Sequence, residues 1–93
     1  MIISFRDKDT EVLYRTDRCK RIPSDVIKRA SRQLERLNAA KTVDDLHFPP
    51  SNRLEKLKGP EPRRWSIRVN KQYRITFEWA TEGPANVAFE DYH

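Results

Sequence analysis

An α+β fold is what the sequence predicts, with two N-terminal helices packed on a small, mainly antiparallel β-sheet. Three observations lead there. Val26, Ile27, Ala30, Leu34 and Leu37 recur at helical spacing, with Lys28, Arg29, Arg32, Glu35 and Arg36 on the other sides. Trp65, Ile67 and Val69 alternate with Ser66 and Arg68, and Tyr73, Ile75, Phe77 and Trp79 alternate with Arg74, Thr76 and Glu78, which is the period of a strand. Between the two patterns stands Pro49-Pro50, which continues neither a helix nor an inner strand. At 93 residues the chain is expected to be one domain over 1–93, because a second independent core would not fit.

The elements follow in order. Ile2-Ile3-Ser4-Phe5 is β-branched and aromatic and reads as a short strand. Asp7 to Thr10 supplies helix-start residues ahead of Val12 and Leu13, predicting a short helix to about Tyr14, then a polar and basic loop from Arg15 to Arg21. Ser24 is suited to cap the second helix, and Asp25 to its positive dipole end. The helical signal fades near Asn38. Thr42 and Asp45, three apart, resemble a shortened capping box and predict one further turn over 42–46. A loop is expected from His47 to Asn52, a short strand over Leu54–Leu57, and the two alternating strands after Pro60 and Pro62. A turn over Ala80–Pro84 then leads to a last strand that includes Ala85 to Phe89.

Register can be derived from the pattern. The two alternating strands turn their apolar sets to one core only if Val69 pairs with Tyr73, leaving Asn70-Lys71-Gln72 as a three-residue loop. That register sets Arg68 directly across from Arg74 on the non-core face. Like charges so placed are destabilising unless an anion lies between them, which points to a phosphate. Matching Phe77 with Val87 and Ile75 with Phe89 puts Arg74 opposite Glu90, and Tyr92 on the same polar face.

The charge is uneven. The chain carries a net +5, yet Arg53 to Arg74 holds eight basic residues against Glu55 and Glu61, so the whole excess lies in one stretch. An anionic partner is expected there. One cysteine, Cys19, excludes an internal disulfide and favours a reducing compartment. His47, His93 and Cys19 offer no metal-ligand spacing, and two glycines exclude a glycine-rich phosphate loop. No apolar run is long enough to span a membrane, and the N-terminus lacks a signal-peptide pattern, so a cytoplasmic protein without cofactor is expected.

Arg68, Arg74, Ser66, Thr76 and Glu90 share the polar face, Lys58 arrives from the preceding strand end, and Asp91-Tyr92-His93 arrives at the C-terminus. Cutting RNA without a metal needs a base for the ribose 2′-OH, cations for the phosphate and an acid for the 5′-oxygen. Arg74 suits the phosphate through its planar fork. Lys58 can act as a point charge or, desolvated, as the base. His93 suits either proton transfer. Tyr92 can stack on a base or help move a proton, and Asp91 can orient His93 or itself accept the proton. Each residue also has a plainer reading. Arg74 and Glu90 make a surface ion pair, His93 is a frayed end, Lys56 and Lys58 guard an edge strand, and Lys28, Arg29, Arg32 and Arg36 are a solvated helix face.

Leu54-Glu55-Lys56-Leu57-Lys58-Gly59, Trp65-Ser66-Ile67-Arg68-Val69-Asn70, Gln72-Tyr73-Arg74-Ile75-Thr76-Phe77 and the closing Glu90-Asp91-Tyr92-His93 together resemble the HigB toxins, a branch of the RelE/ParE-type toxins of type II toxin–antitoxin pairs. The resemblance extends over nearly the whole chain and implies the RelE-like fold. It also implies a metal-independent endoribonuclease that depends on the ribosome, cuts mRNA codons in the A site and leaves a 2′,3′-cyclic phosphate and a 5′-hydroxyl. By position it carries over Lys58, Arg74, Asp91, Tyr92 and His93 as active-site residues. Arg68 is carried over as a contact to mRNA or 16S rRNA, and the nearby Arg53, Lys56, Arg63, Arg64 and Lys71 are expected to bind RNA as well. Implied partners are a HigA-like helix-turn-helix antitoxin, the 70S ribosome with its mRNA, and operator DNA only through the antitoxin complex. Some family members have a histidine just before the lysine, where this chain has Glu55-Lys56. A non-enzymatic gyrase poison, as in ParE-type relatives, is the competing reading on the same fold.

Overall fold

In a computed structural model that describes residues 1–59 and 63–91, two helices pack against one face of a four-stranded antiparallel sheet. The helices are α1 (Lys8–Thr16) and α2 (Ser24–Ala39); the strands are β1 (Glu55–Lys56), β2 (Arg64–Arg68), β3 (Tyr73–Ala80) and β4 (Gly83–Asp91), in the spatial order β1-β2-β3-β4. Asp7 caps α1 by accepting the Thr10 N–H at 2.7 Å, and Asp17 closes it in the left-handed region at φ +57°. The cap of α2 differs from expectation. Pro23 occupies that position, and Ser24 is already the first helical residue, without a side-chain capping bond. The capping box at Thr42 and Asp45 is present and starts a 3₁₀ helix over Val43–His47. The expected loop that follows holds a second 3₁₀ turn, Pro50–Asn52, because proline's fixed φ suits the start of a helical turn.

The core lies between the helices and the sheet. Leu13, Val26, Ala30, Leu34 and Leu37 meet Ile67, Val69, Ile75, Phe77 and Val87, all buried, with Leu46 closing one side. Trp65, Tyr73, Trp79 and Phe89 flank this cluster and are half-buried. Truncating Leu34 to alanine in such a core costs about 2–5 kcal/mol.

The β2–β3 hairpin has the expected register. Val69 N–H donates to the Tyr73 carbonyl at 3.0 Å, and Arg68 pairs with Arg74. The loop between them is held by Asn70, whose Oδ1 accepts the N–H groups of Gln72 and Tyr73 at 2.8 and 2.7 Å.

Two expectations about β4 need correction. The turn is only Thr81-Glu82, with Pro84 inside the strand. Ile75 pairs with Phe89 and Arg74 with Glu90, but Phe77 and Val87 are not register partners. A bulge intervenes, with Asn86 in the left-handed region at φ +50°. The N-terminal segment also falls short of a strand. It runs parallel to β4 with one bridge, Phe5 to Val87, and bonds from Ile3 to Pro84, Val87 to Ser4 and Arg6 to Val87. Pro84 has no N–H to donate, and the bulge interrupts the edge, so the ladder cannot extend.

Candidate functional site

The sheet face away from the helices begins with Ser66, Arg68, Arg74, Thr76 and Glu90. It is less open than alternation suggests, because its polar groups bury one another. Arg64 is 3% exposed; its Nη2 donates to Thr76 Oγ1 at 2.6 Å and to the Asn86 carbonyl at 3.0 Å, and its Nη1 lies 3.7 Å from the Glu78 carboxylate. Thr76 in turn donates to Glu90. The Asn86 bulge is what turns that carbonyl toward Arg64. Arg64 was expected to touch RNA. Instead it is a structural part of this face, its buried charge held by Thr76 and the Asn86 carbonyl and balanced by the nearby Glu78.

Arg74 is held at several points. Its Nε donates to Ser66 Oγ at 2.8 Å, its Nη2 donates to the Arg53 carbonyl at 2.8 Å, and the Glu55 carboxylate lies 4.0 Å from Nη2. Only 12% of the side chain is exposed, so the guanidinium has little freedom left to lose when it meets an anion. The Arg53 carbonyl is aimed by the 3₁₀ turn Pro50–Asn52, after which Arg53 takes a left-handed conformation at φ +46°. That turn is fixed by Asn52, which is fully buried. Its Nδ2 donates to the carbonyls of Leu46 and Phe48 at 3.1 Å each, and its Oδ1 accepts Gln33 Nε2 of α2 at 2.9 Å.

Arg68 stands across from Arg74 in the hairpin register. With Arg53 it lines a groove of about 370 Å³ whose other wall is Arg29, Arg32 and Arg36 of α2. Gln33 forms the floor, donating to the Arg68 carbonyl at 2.8 Å and accepting from Arg36 Nη1 at 2.8 Å. No acidic residue lines the groove among the described residues. These α2 arginines are a feature that sequence reasoning treated as a solvated helix face. Their i, i+3, i+7 spacing puts them on one stripe, yet nothing in the sequence said that Arg53 and Arg68 would form the facing wall.

The remaining expected residues scatter. Lys58, Arg63 and Lys71 are exposed around the hairpin. Lys56 lies with its Nζ 5.4 Å from the centre of the Trp65 ring, a cation–π contact at the sheet edge. Asp91 pairs with Tyr73, so its side chain falls on the face opposite Arg74; it accepts from Gln72 Nε2 at 3.1 Å and borders a cleft with Asp9, Cys19 and Phe89. Asp91 and Arg74, both carried over as active-site residues by the resemblance, therefore lie on opposite faces of the sheet. Tyr92 and His93 lie outside the described residues. Cys19, beside that cleft, has its thiol pKa raised by burial first and by Asp9 and Asp7 second. No cluster of three or more metal-ligating side chains occurs among the described residues, and no helix there is long and apolar enough to cross a membrane.

Comparison with known proteins matches residues 3–93 to the family described as RelE-like toxin of type II toxin-antitoxin system HigB. The chain is 44% identical over 94 residues to Toxin HigB-1 of Vibrio cholerae, a match covering all of this chain and 98% of that protein. It is 29% identical over 93 residues to Endoribonuclease HigB of Proteus vulgaris, with both chains covered in full. A Haemophilus influenzae protein without an assigned function is 36% identical over 92 residues, 95% of this chain and 88% of that one.

Proposed function

The chain belongs to the HigB-like family of RelE-type toxins of type II toxin–antitoxin systems, and from that membership we propose that it is a metal-independent endoribonuclease that stops translation by cutting mRNA in the ribosomal A site. The family implies an antitoxin partner; we identify it with a HigA-like helix-turn-helix protein, through which alone the toxin reaches operator DNA. The ribosome, its mRNA and 16S rRNA are the other partners, and the site of action is cytoplasmic.

The observation that carries this reading is Arg74, paired across the hairpin with Arg68 and locked by Ser66 and Arg53. Held in this way, the planar Arg74 fork is preorganised to meet a phosphate. In the proposed reaction a base removes the 2′-OH proton and the oxygen attacks the neighbouring phosphorus. The P–O5′ bond breaks, and a proton delivered to the leaving oxygen yields a 5′-hydroxyl beside a 2′,3′-cyclic phosphate. Negative charge grows on the phosphate oxygens as this happens, and a preorganised guanidinium stabilises the transition state more than the substrate. Lys58 adds a second cation or serves as the base. Tyr92 and His93 supply groups that move protons, and His93 has the intrinsic pKa for either transfer. Asp91, facing away from Arg74, enters only as the residue that leads the chain into this pair.

The test is purified protein, stripped of metal with EDTA and dialysed, added to mRNA-programmed ribosomes in the Mg²⁺ they need, with 5′ ends mapped by primer extension. Cuts within the A-site codon that leave cyclic phosphate ends are expected. Intact mRNA on active ribosomes ends the proposal, and double-strand DNA breaks with translation unaffected would assign the gyrase-poison activity in its place.

A further inference from the structure

We propose that the arginine groove between α2 and the Arg53–Arg68 wall is a second phosphodiester site, which grips RNA backbone away from the scissile phosphate at Arg74. The proposal rests on the reading of the protein as one that acts on RNA. Five arginines, Arg29, Arg32, Arg36, Arg53 and Arg68, line one groove of about 370 Å³ with no carboxylate among its described lining residues. A set of like charges this dense costs self-repulsion and is stabilised when anions occupy it. Arginine is the side chain whose planar fork matches phosphate oxygens. Arg29 to Arg36 spans about 10 Å of helix, enough for more than one phosphate of a nucleic-acid chain.

The groove is built rather than incidental. Gln33, only 6% exposed, ties its floor to β2 through the Arg68 carbonyl, to the 3₁₀ turn through Asn52, and to the wall through Arg36. It also shares residues with the Arg74 site. Arg53 lines the groove and gives Arg74 its carbonyl, while Arg68 lines the groove and pairs with Arg74 across the hairpin. A strand whose phosphate sits at Arg74 therefore has a cationic track leading from it. The RNA held there is either the mRNA flank or ribosomal RNA, both offering the same phosphodiester chemistry.

The test uses Arg29→Gln together with Arg32→Gln, both exposed and neither part of the Arg74 site. Affinity is titrated against salt for two probes, vacant 70S ribosomes and a single-stranded RNA nonamer. With an unchanged melting temperature, the double variant is expected to bind roughly tenfold more weakly, and its log K against log salt slope to shrink by about 1.4. A loss on vacant ribosomes assigns ribosomal RNA; a loss on the nonamer alone assigns the mRNA flank. If the double variant melts lower, Arg32→Gln alone serves, with about half the slope change. Wild-type affinity and slope toward both probes overturn the proposal, including the case in which only antitoxin binding weakens, which would make the groove a protein-docking surface. A protein that binds through the groove yet cuts nothing ends the endoribonuclease reading and leaves this one standing.

Discussion

Arg53 supports Arg74 with its backbone and not with its charge: its carbonyl oxygen lies 2.8 Å from Arg74 Nη2, and the same residue lines the arginine groove. A left-handed residue at the end of a 3₁₀ turn thus joins two cationic regions that are separate on the sheet. Asn52, fully buried and bonded to α2 through Gln33, makes that geometry a property of the core rather than of a surface loop. Helix packing and the aim of Arg74 are mechanically linked in consequence.

Ser66 is the other anchor. Ser66→Ala removes the acceptor of Arg74 Nε without adding bulk. The expected outcome is a several-fold fall in cleavage rate at saturation, with ribosome affinity unchanged, because orientation is lost and charge is kept. Single-turnover kinetics beside a binding titration checks it, and an unchanged rate would show that Ser66 does not position Arg74.

Arg64 is assigned to the fold. Arg64→Met should destabilise the protein by about 3 kcal/mol in denaturant titration, because Glu78, Thr76 and Glu90 lose the cation that organises them. Folded variant should bind RNA with the wild-type salt slope. A smaller slope with little loss of stability would return Arg64 to the RNA contacts.

Gly83 begins β4 at φ +143°, and a Cβ there would stand 2.5 Å from the Met1 carbonyl oxygen. Both features oppose any side chain. Gly83→Ala is expected to cost about 2 kcal/mol or more and to loosen the N-terminal segment from β4, seen as lost amide protection at Ile3 and Val87.

Asp45 carries a pH dependence. Its carboxyl pKa is lowered chiefly by the backbone N–H of Lys41, then by that of Thr42. A folded-state pKa below the unfolded one gives stability that is present above the unfolded value and is lost as pH falls through the folded one. The wild-type protein should therefore lose more melting temperature than Asp45→Asn as pH is lowered below about 4. Parallel curves for the two proteins would remove the capping box from the stability balance.

Much of this was legible in the sequence, for reasons that differ from residue to residue. The hairpin register followed from alternation alone, because slipping one residue would bury Arg68 or expose Ile75. The Arg68–Arg74 pair follows from the same alternation. The Asn86 bulge was not legible, since no proline or glycine marks it, and the Phe77–Val87 pairing failed there. The face of Asp91 was not legible, because residues at a chain end need not keep ideal alternation; its pairing with Tyr73 sets it on the face opposite Arg74. Charge counted along the chain found Arg53 to Arg74 but missed Arg29, Arg32 and Arg36, which join the same surface only through tertiary packing. Arg64 was misread because composition cannot tell a buried cation from an exposed one.

Whether Arg74 stabilises the reacting phosphate, rather than merely holding RNA, is tested most directly by single-turnover cleavage on programmed ribosomes with Arg74→Ala and Arg68→Ala side by side. Arg74→Ala is expected to lower the rate at saturation by about 10²–10³ with ribosome affinity near wild type, the size of effect seen when one preorganised transition-state donor is removed. Arg68→Ala is expected to weaken binding and keep most of the saturated rate. Cleavage by Arg74→Ala at the wild-type rate would contradict the role assigned to this site.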